Sequence, residues 1–231
     1  AIQVEKFASE GASIIIADID SVRGKQFERE IQNGFGNAIF NYLDVTKESS
    51  WIDLINKTEQ TFGIPTILVQ NAGIYRSGKI LETNVEEWDS IMNVNAKGVF
   101  LGTKSVLPKM IAAGGGSIVN ISSTAGILGS RISTAYNPSK AAVRVFTKST
   151  ALQYAKNNVR ANSIHPGPVE SEMLSQVYPD KNLKRKRGIE IPLGRFASAN
   201  DVCNAALFLA SDESSYMTGS ELVVDGGLTA Q

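Results

Sequence analysis

Ser117-Ile-Val-Asn-Ile-Ser-Ser123 and, after a glycine-bearing link, Thr134-Ala-Tyr136-Asn-Pro-Ser-Lys140 form the stretch around which the rest of the chain is arranged. The first part is a short apolar run behind Gly114-Gly115-Gly116, the pattern of a buried strand. The second part opens a helix. Ser133 or Thr134 is placed to cap it, and Pro138 falls in the first turn, where its missing N–H costs nothing. Tyr136 and Lys140 then share one helix face. Ser123 stands at the strand's end, free to point at them.

On either side of this stretch, strands alternate with helices. Apolar runs at 13–17, 38–43, 66–70, 160–165 and 222–224 read as strands, the first as a buried one. Residues 2–10 read as the tail of a helix stopped by Gly11, and 22–33 as a helix ending at Gly34. Residues 49–62 form a further helix, stopped by Gly63 and Pro65. Thr83-Asn-Val-Glu86 is a capping box that starts a long helix carrying Val85, Trp88, Ile91 and Met92, and Ser198-Ala-Asn-Asp201 caps a last one. Residues 171–187 are polar and leave helix and loop both open. The alternation predicts one α/β domain over 1–231, a doubly wound parallel sheet of Rossmann type with helices on both faces. Ligands of such sheets bind outside the carboxyl ends of the strands. Asp18, Asp44, Asn71, Ser123 and Pro166 all fall there.

Composition narrows the function. The chain has 231 residues, enough for one good core, with 42% hydrophobic and 20% charged residues. Lys plus Arg and Asp plus Glu number 23 each, so no basic excess points to nucleic acid. Cys203 is the one cysteine, so no intrachain disulfide is possible; a reducing, cytoplasmic setting is expected. No apolar run approaches the roughly 20 residues of a membrane span.

Ser123, Tyr136 and Lys140 together have a chemical reading. A free phenol has a pKa of about 10 and is a poor base at neutral pH. An adjacent ammonium favours the phenolate, and a serine hydroxyl can hold a substrate oxygen against the phenol. Taking a proton from an alcohol while a hydride leaves carbon needs that arrangement. A surface tyrosine with a solvated lysine is the plain alternative, and the pair alone would favour it.

Tyr136 follows Ser123 by thirteen positions and Lys140 follows Tyr136 by four. With Asn71-Ala72-Gly73, Asn93-Val94-Asn95, Pro166-Gly167 and Val224-Asp225-Gly226-Gly227 in the same order, this spacing resembles the short-chain dehydrogenase/reductase family along nearly the whole chain. The resemblance implies an NAD-dependent oxidoreductase interconverting a secondary alcohol and a ketone. Tyr136 would be the general acid/base, Lys140 would lower its pKa and bond the nicotinamide ribose, and Ser123 would orient the substrate oxygen. Asn95 would anchor a proton relay through water; Asn93 competes with it, but the residues after Asn95 match the family better.

The resemblance also assigns a cofactor surface. Asp18, with Ile19 beside it, would take the adenosine ribose hydroxyls and repel a 2′-phosphate, which favours NAD over NADP; Asp18 or Asp20 could equally cap the next helix. Asp44 and the backbone of Val45 would meet the adenine edge, although a turn Asp is an even alternative. Asn71, Ala72 and Gly73 would pass close to the cofactor. Pro166, Gly167, Val169 and Ser171 would form the loop under the nicotinamide. His165, the single histidine, is read as structural, and the basic run at 181–187 as a solvated lid over substrate in preference to a localisation or nucleic-acid signal. Tyr75, Ile127, Leu128 and 173–178 would line an apolar pocket.

Bringing a phenol from about 10 to near 7 asks for roughly 4 kcal/mol, and one exposed ion pair supplies at most about 1 kcal/mol. A water-poor site and the oxidised nicotinamide's charge must supply the rest. A dinucleotide sensor, or an epimerase or dehydratase on the same fold, would be the competing functions; an intact Ser123, Tyr136, Lys140 and Asn95 set speaks for the reductase branch. The tail Asp225–Gln231 resembles that of tetrameric secondary-alcohol dehydrogenases, some of which bind magnesium there; a homotetramer is expected and a metal is not. Family members begin with a strand and a glycine-rich phosphate loop that are absent before residue 2, so an N-terminal truncation is expected, with two strands left short of ladder partners.

Overall fold

A computed structural model describes every residue of the chain except Phe35 and Pro179, and every described side chain except that of Lys181. β4 (Gly116–Ile121) lies inside a four-stranded parallel sheet of order β3–β4–β5–β6, with β3 at Ile67–Gln70, β5 at Val159–Pro166 and β6 at Glu221–Val224. In its register Ile118 stands opposite Ala161 and Ile121 opposite Ile164. A second parallel sheet pairs β1 (Ile14–Asp18) with β2 (Ala38–Tyr42).

Side chains of β4 alternate between two helical layers, as a strand's period of two requires. Ile118 packs with Ile55, Val106 and Met110 of α3 (Glu48–Phe62) and α5 (Gly98–Ala112), and with Ala151 of α6 (Tyr136–Tyr154). Val119 and Ile121 pack on the opposite face with Phe7 of α1 (Ile2–Ser9) and Ala206 and Leu209 of α9 (Ala199–Ala210). Each such aliphatic side chain contributes about 1.5–3 kcal/mol by leaving water. α2 (Ser21–Gly34) sets Ile31 against Ile16 and Ala38 of the smaller sheet.

Among the described residues no ladder joins β1 to β3. The consequence is visible in burial. Ile16 is the one buried residue of β1, and Ile67 of β3 is 39% exposed. The reading of 13–17 as a wholly buried run is corrected accordingly, because a strand with one neighbour keeps an open edge.

The capping expectations divide. α9 carries the predicted box, Ser198 and Asp201 satisfying each other's backbone. For α4 (Val85–Met92) the cap is Asn84 rather than Thr83: the Asn84 side chain accepts from the Glu87 N–H at 2.7 Å, while Thr83 donates to the Lys79 carbonyl. α6 has no side-chain cap at all. Ser133 and Thr134 donate instead to the carbonyls of Arg76 and Gly78, tying the helix entry to the loop after β3. Residues 171–187, left open by the sequence, form α7 (Glu172–Val177), capped by Ser171, and α8 (Lys181–Ile189), capped by Asp180. No helix among the described residues is long and apolar enough to cross a membrane.

Candidate active site

The carboxyl end of β4 and the first turn of α6 bring Ser123, Tyr136 and Lys140 together. Ser123 is extended, with φ −171° and ψ 160°, and its Oγ accepts from the Ala125 N–H at 3.1 Å. The turn Thr124–Gly126 that follows lies directly on α6: a Cβ on Gly126 would fall 2.8 Å from the Lys140 carbonyl carbon, so a side chain there would push turn and helix apart. Lys140 is 4% exposed. Its Nζ donates to the Ile121 carbonyl at 2.9 Å and lies 5.8 Å from the centre of the Tyr136 ring. Tyr75 meets that ring edge-on, with centroids 5.2 Å apart.

Burial acts on both titrating groups. It lowers the Lys140 ammonium to about 8. It pushes the Tyr136 phenol up, against the Ser123 hydroxyl, which lowers it, and Tyr75 adds to the rise. The expectation that Lys140 lowers the phenol is therefore not met by the protein chain alone. A dry site disfavours phenolate more than the neighbouring hydroxyl favours it.

Asn95 lies in a π turn, Asn93–Lys97, set between α4 and α5. It is fully buried. Its Oδ1 accepts from the Ile74 N–H at 2.8 Å, and its Nδ2 donates to the Ile74 carbonyl at 2.9 Å and to Ser139 Oγ at 3.0 Å. Both amide hydrogens are thus used, and one Oδ1 lone pair remains. The alternative of a buried Asn bonding its own helix is not what the structure shows: Asn95 clamps the segment after Gly73. Sequence reasoning does not single out Ser139, which joins Asn95 to the Tyr136 carbonyl; its position one residue before Lys140 is the sole hint.

The residues expected to hold the cofactor follow the carboxyl ends of β1, β2, β3 and β5. Asp20, not Asp18, caps α2, accepting from the N–H groups of Val22 and Arg23. Asp18 accepts one bond, from the Asp20 N–H, and both Asp18 and Ile19 are exposed. Arg23 is paired with Asp20 and Glu172. Asp44 is more engaged than the adenine reading implies. Thr46 donates to it twice and Lys47 lies 3.2 Å away, and the Thr46 hydroxyl above all holds its carboxyl below the usual range. The Val45 carbonyl accepts from the Trp51 indole. Asn71 and Ala72 are exposed past β3. Pro166 ends β5; Gly167 packs so closely that a Cβ would sit 2.9 Å from Asp225 Cα, and Val169 pairs with Ala197. The Ser171 hydroxyl serves α7, accepting from the Leu174 N–H, and donates to the Val169 carbonyl. At the tail, Asp225 accepts from Gly227 and from both Thr229 groups, a closed turn.

A family model described as enoyl-(acyl carrier protein) reductase matches residues 3–229. The chain belongs to the short-chain dehydrogenase/reductase family. It is an oxidoreductase acting on CH–OH groups with a nicotinamide cofactor. It is 38% identical over 227 residues to the 2,5-dichloro-2,5-cyclohexadiene-1,4-diol dehydrogenase of Sphingobium indicum, covering 98% of this chain and 90% of that one. It is 42% identical over 223 residues to the cyclopentanol dehydrogenase of Comamonas testosteroni, covering 96% and 89%. Its fold superposes with a TM-score of 0.94, at 32% identity, on a gluconate 5-dehydrogenase from Burkholderia cenocepacia in complex with NADP and tartrate, covering 100% of this chain and 91% of that one.

Beside Gly73 the geometry fits a polar part of a nicotinamide dinucleotide. A Cβ on Gly73 would stand 3.3 Å from Lys140 Nζ and 3.4 Å from Asn95 Oδ1, so the bare Cα keeps open a space that a buried donor and a buried acceptor both face. An ammonium has three donors, and within the described residues Lys140 gives one, to Ile121.

Proposed function

We propose that the chain interconverts a cyclic secondary alcohol and its ketone with NAD, using Tyr136 as acid and base. The observation that carries this is the meeting of Ser123, Tyr136 and the buried Lys140 ammonium at the β4–α6 junction. Bound nicotinamide supplies the hydride acceptor for alcohol oxidation and the hydride donor for the reverse. Ser123 donates its Oγ hydrogen to the substrate oxygen and holds it beside the phenol. The Tyr136 phenolate accepts the alcohol proton, and as phenol returns it to the carbonyl oxygen in reduction. Lys140 keeps its remaining N–H donors for the ribose of the dinucleotide, and its charge favours the phenolate once that site is filled. Asn95 holds the Ile74 segment and faces, with Lys140, the space beside Gly73, which suits a proton relay to solvent.

Asp18 and Ile19 hold the adenosine ribose, Asp44 and Val45 the adenine, and Asn71, Ala72 and Gly73 the middle of the dinucleotide. Pro166, Gly167, Val169 and Ser171 hold the nicotinamide end. NAD is favoured over NADP because Asp18 presents a carboxylate there and Arg23 is turned to Asp20 and Glu172. The NADP in the Burkholderia complex argues the other way, so the ratio must be measured. A cyclic alcohol is favoured by the names of two relatives and by the apolar character of Tyr75, Ile127, Leu128 and Met173, the residues expected to face the substrate. Exposed Val85, Phe100, Val145 and Leu152 on α4, α5 and α6 suit burial against other copies, and a homotetramer is the proposed assembly. Steady-state turnover of a panel of cyclic and open-chain secondary alcohols with NAD tests the reading. No NAD-linked oxidation across the panel would overturn it.

A further inference from the structure

The hydrogen-bond ladder between β4 and β5 continues past its last residue pair, Ile121 opposite Ile164, in two steps. The Ser122 N–H donates to the Ile164 carbonyl at 2.8 Å. Beyond that the Ser123 carbonyl accepts from the Gly126 N–H at 2.9 Å and is also met by a side chain: His165 Nδ1 lies 3.2 Å from it. A carbonyl only accepts, so Nδ1 carries the hydrogen. Nε2 is then an acceptor, and the Ser163 hydroxyl, 2.9 Å away, donates to it. Ser163 and His165 are two apart on β5 and share one face. His165 is fully buried and Ser163 is 1% exposed, so the bond between them is shielded from water, while the one to Ser123 is part-buried.

From this we infer that His165 is a positioning residue for the reaction. Through its imidazole it holds the carbonyl of Ser123, and so the extended backbone on which the Ser123 hydroxyl is presented to Tyr136. The inference rests on the role given above to Ser123. It gives a role to a lone histidine that makes no hydrogen bond to Tyr136 or Lys140 among the described residues yet sits at the end of the neighbouring strand. Without His165 the Ser123 carbonyl would keep the Gly126 N–H and lose its second partner, so the turn alone would fix the peptide and aim the hydroxyl less narrowly at the phenol. Asn places its Nδ2 where imidazole has Nδ1, so His165→Asn preserves the bond to Ser123 and loses the one to Ser163. Leu preserves neither.

Three variants and their combination decide the matter, with thermal unfolding and NAD affinity measured on each to show a folded, cofactor-competent protein. His165→Leu should lower kcat at least tenfold and leave the NAD Kd within about twofold, whereas His165→Asn should recover most of the rate. The discriminating readout is the double variant. Once Ser123→Ala has removed the hydroxyl, adding His165→Leu should cost less than about threefold further, because there is nothing left to position. Losses that multiply in the double variant would assign His165 a general structural role and overturn the inference. If His165→Leu does not fold, the comparison of His165→Asn with Ser163→Ala replaces it: both should keep the rate within about threefold, and a tenfold loss in His165→Asn would overturn the inference. An unchanged kcat in Ser123→Ala would remove Ser123 from the mechanism, and with it both the proposed function and this reading; a loss there with multiplicative behaviour in the double variant removes this reading alone.

Discussion

Lys140 Nζ lies 5.8 Å from the centre of the Tyr136 ring while donating to the Ile121 carbonyl at 2.9 Å, so the ammonium is held beside the phenol from behind, by the end of β4. That placement has a cost in stability. Burial lowers the ammonium from 10.5 to about 8, which amounts to about 3 kcal/mol of disfavoured charge at neutral pH.

Replacing Lys140 with Met should therefore stabilise the fold while abolishing activity. Removing the charge returns about 3 kcal/mol, and the Ile121 carbonyl, losing its donor, takes back about 1–2 kcal/mol. The sign depends on pH. The folded state loses the lysine proton near 8 and the unfolded state near 10.5, so between them the unfolded chain binds more protons and wild-type stability rises with pH. Urea midpoints should favour the Met variant by about 1–2 kcal/mol at pH 7 and reverse in favour of wild type by pH 10.5. A variant less stable than wild type at pH 7 would contradict the buried, charged state.

Tyr136→Phe should cut kcat for alcohol oxidation by about 10²–10⁴, the span usual for a lost general acid/base. NAD should still bind, since the phenol hydroxyl alone is removed. Near-wild-type turnover would take Tyr136 out of the mechanism.

Asp18 accepts a single hydrogen bond and is exposed at the end of β1, which leaves its carboxylate available to ribose hydroxyls. The kcat/KM ratio should favour NAD over NADP by at least tenfold, and Asp18→Ala should narrow it. Preference for NADP in the wild-type protein would refute the assignment.

Gly73→Ala places a methyl group 3.3 Å from Lys140 Nζ and 3.4 Å from Asn95 Oδ1. Both partners are held, Lys140 by Ile121 and Asn95 by Ile74, so neither moves aside freely. Cofactor affinity should fall about tenfold, with a change of less than about 1 kcal/mol in stability, read by fluorescence titration with NADH. Unchanged affinity would show that this space is not part of the cofactor site.

Much of this protein was legible along the chain because it is written in near neighbours. A strand's period of two, a helix's period of 3.6, the box at Ser198 and Asp201, and Tyr136 four residues before Lys140 all depend on local geometry that the chain carries wherever it folds. The order of the motifs sufficed for the family. Thr83, Ser133 and Thr134 do not cap, for a related reason: each hydroxyl finds a carbonyl, at Lys79, Arg76 and Gly78, and for Ser133 and Thr134 that carbonyl lies more than fifty residues away.

What folding alone settled are the quantities that sum over distant neighbours. Spacing puts Lys140 on the face of Tyr136, but packing by β4, the Thr124–Gly126 turn and the π turn removes it from water, and desolvation sets the direction of both shifts. Asn95 spends its amide on Ile74 and Ser139, 21 and 44 residues away, and His165 reaches Ser123 across 42. No local pattern encodes such contacts. They arise because parallel strands joined by helical crossovers set far-separated segments side by side, where a buried polar group must take whichever partner the fold delivers.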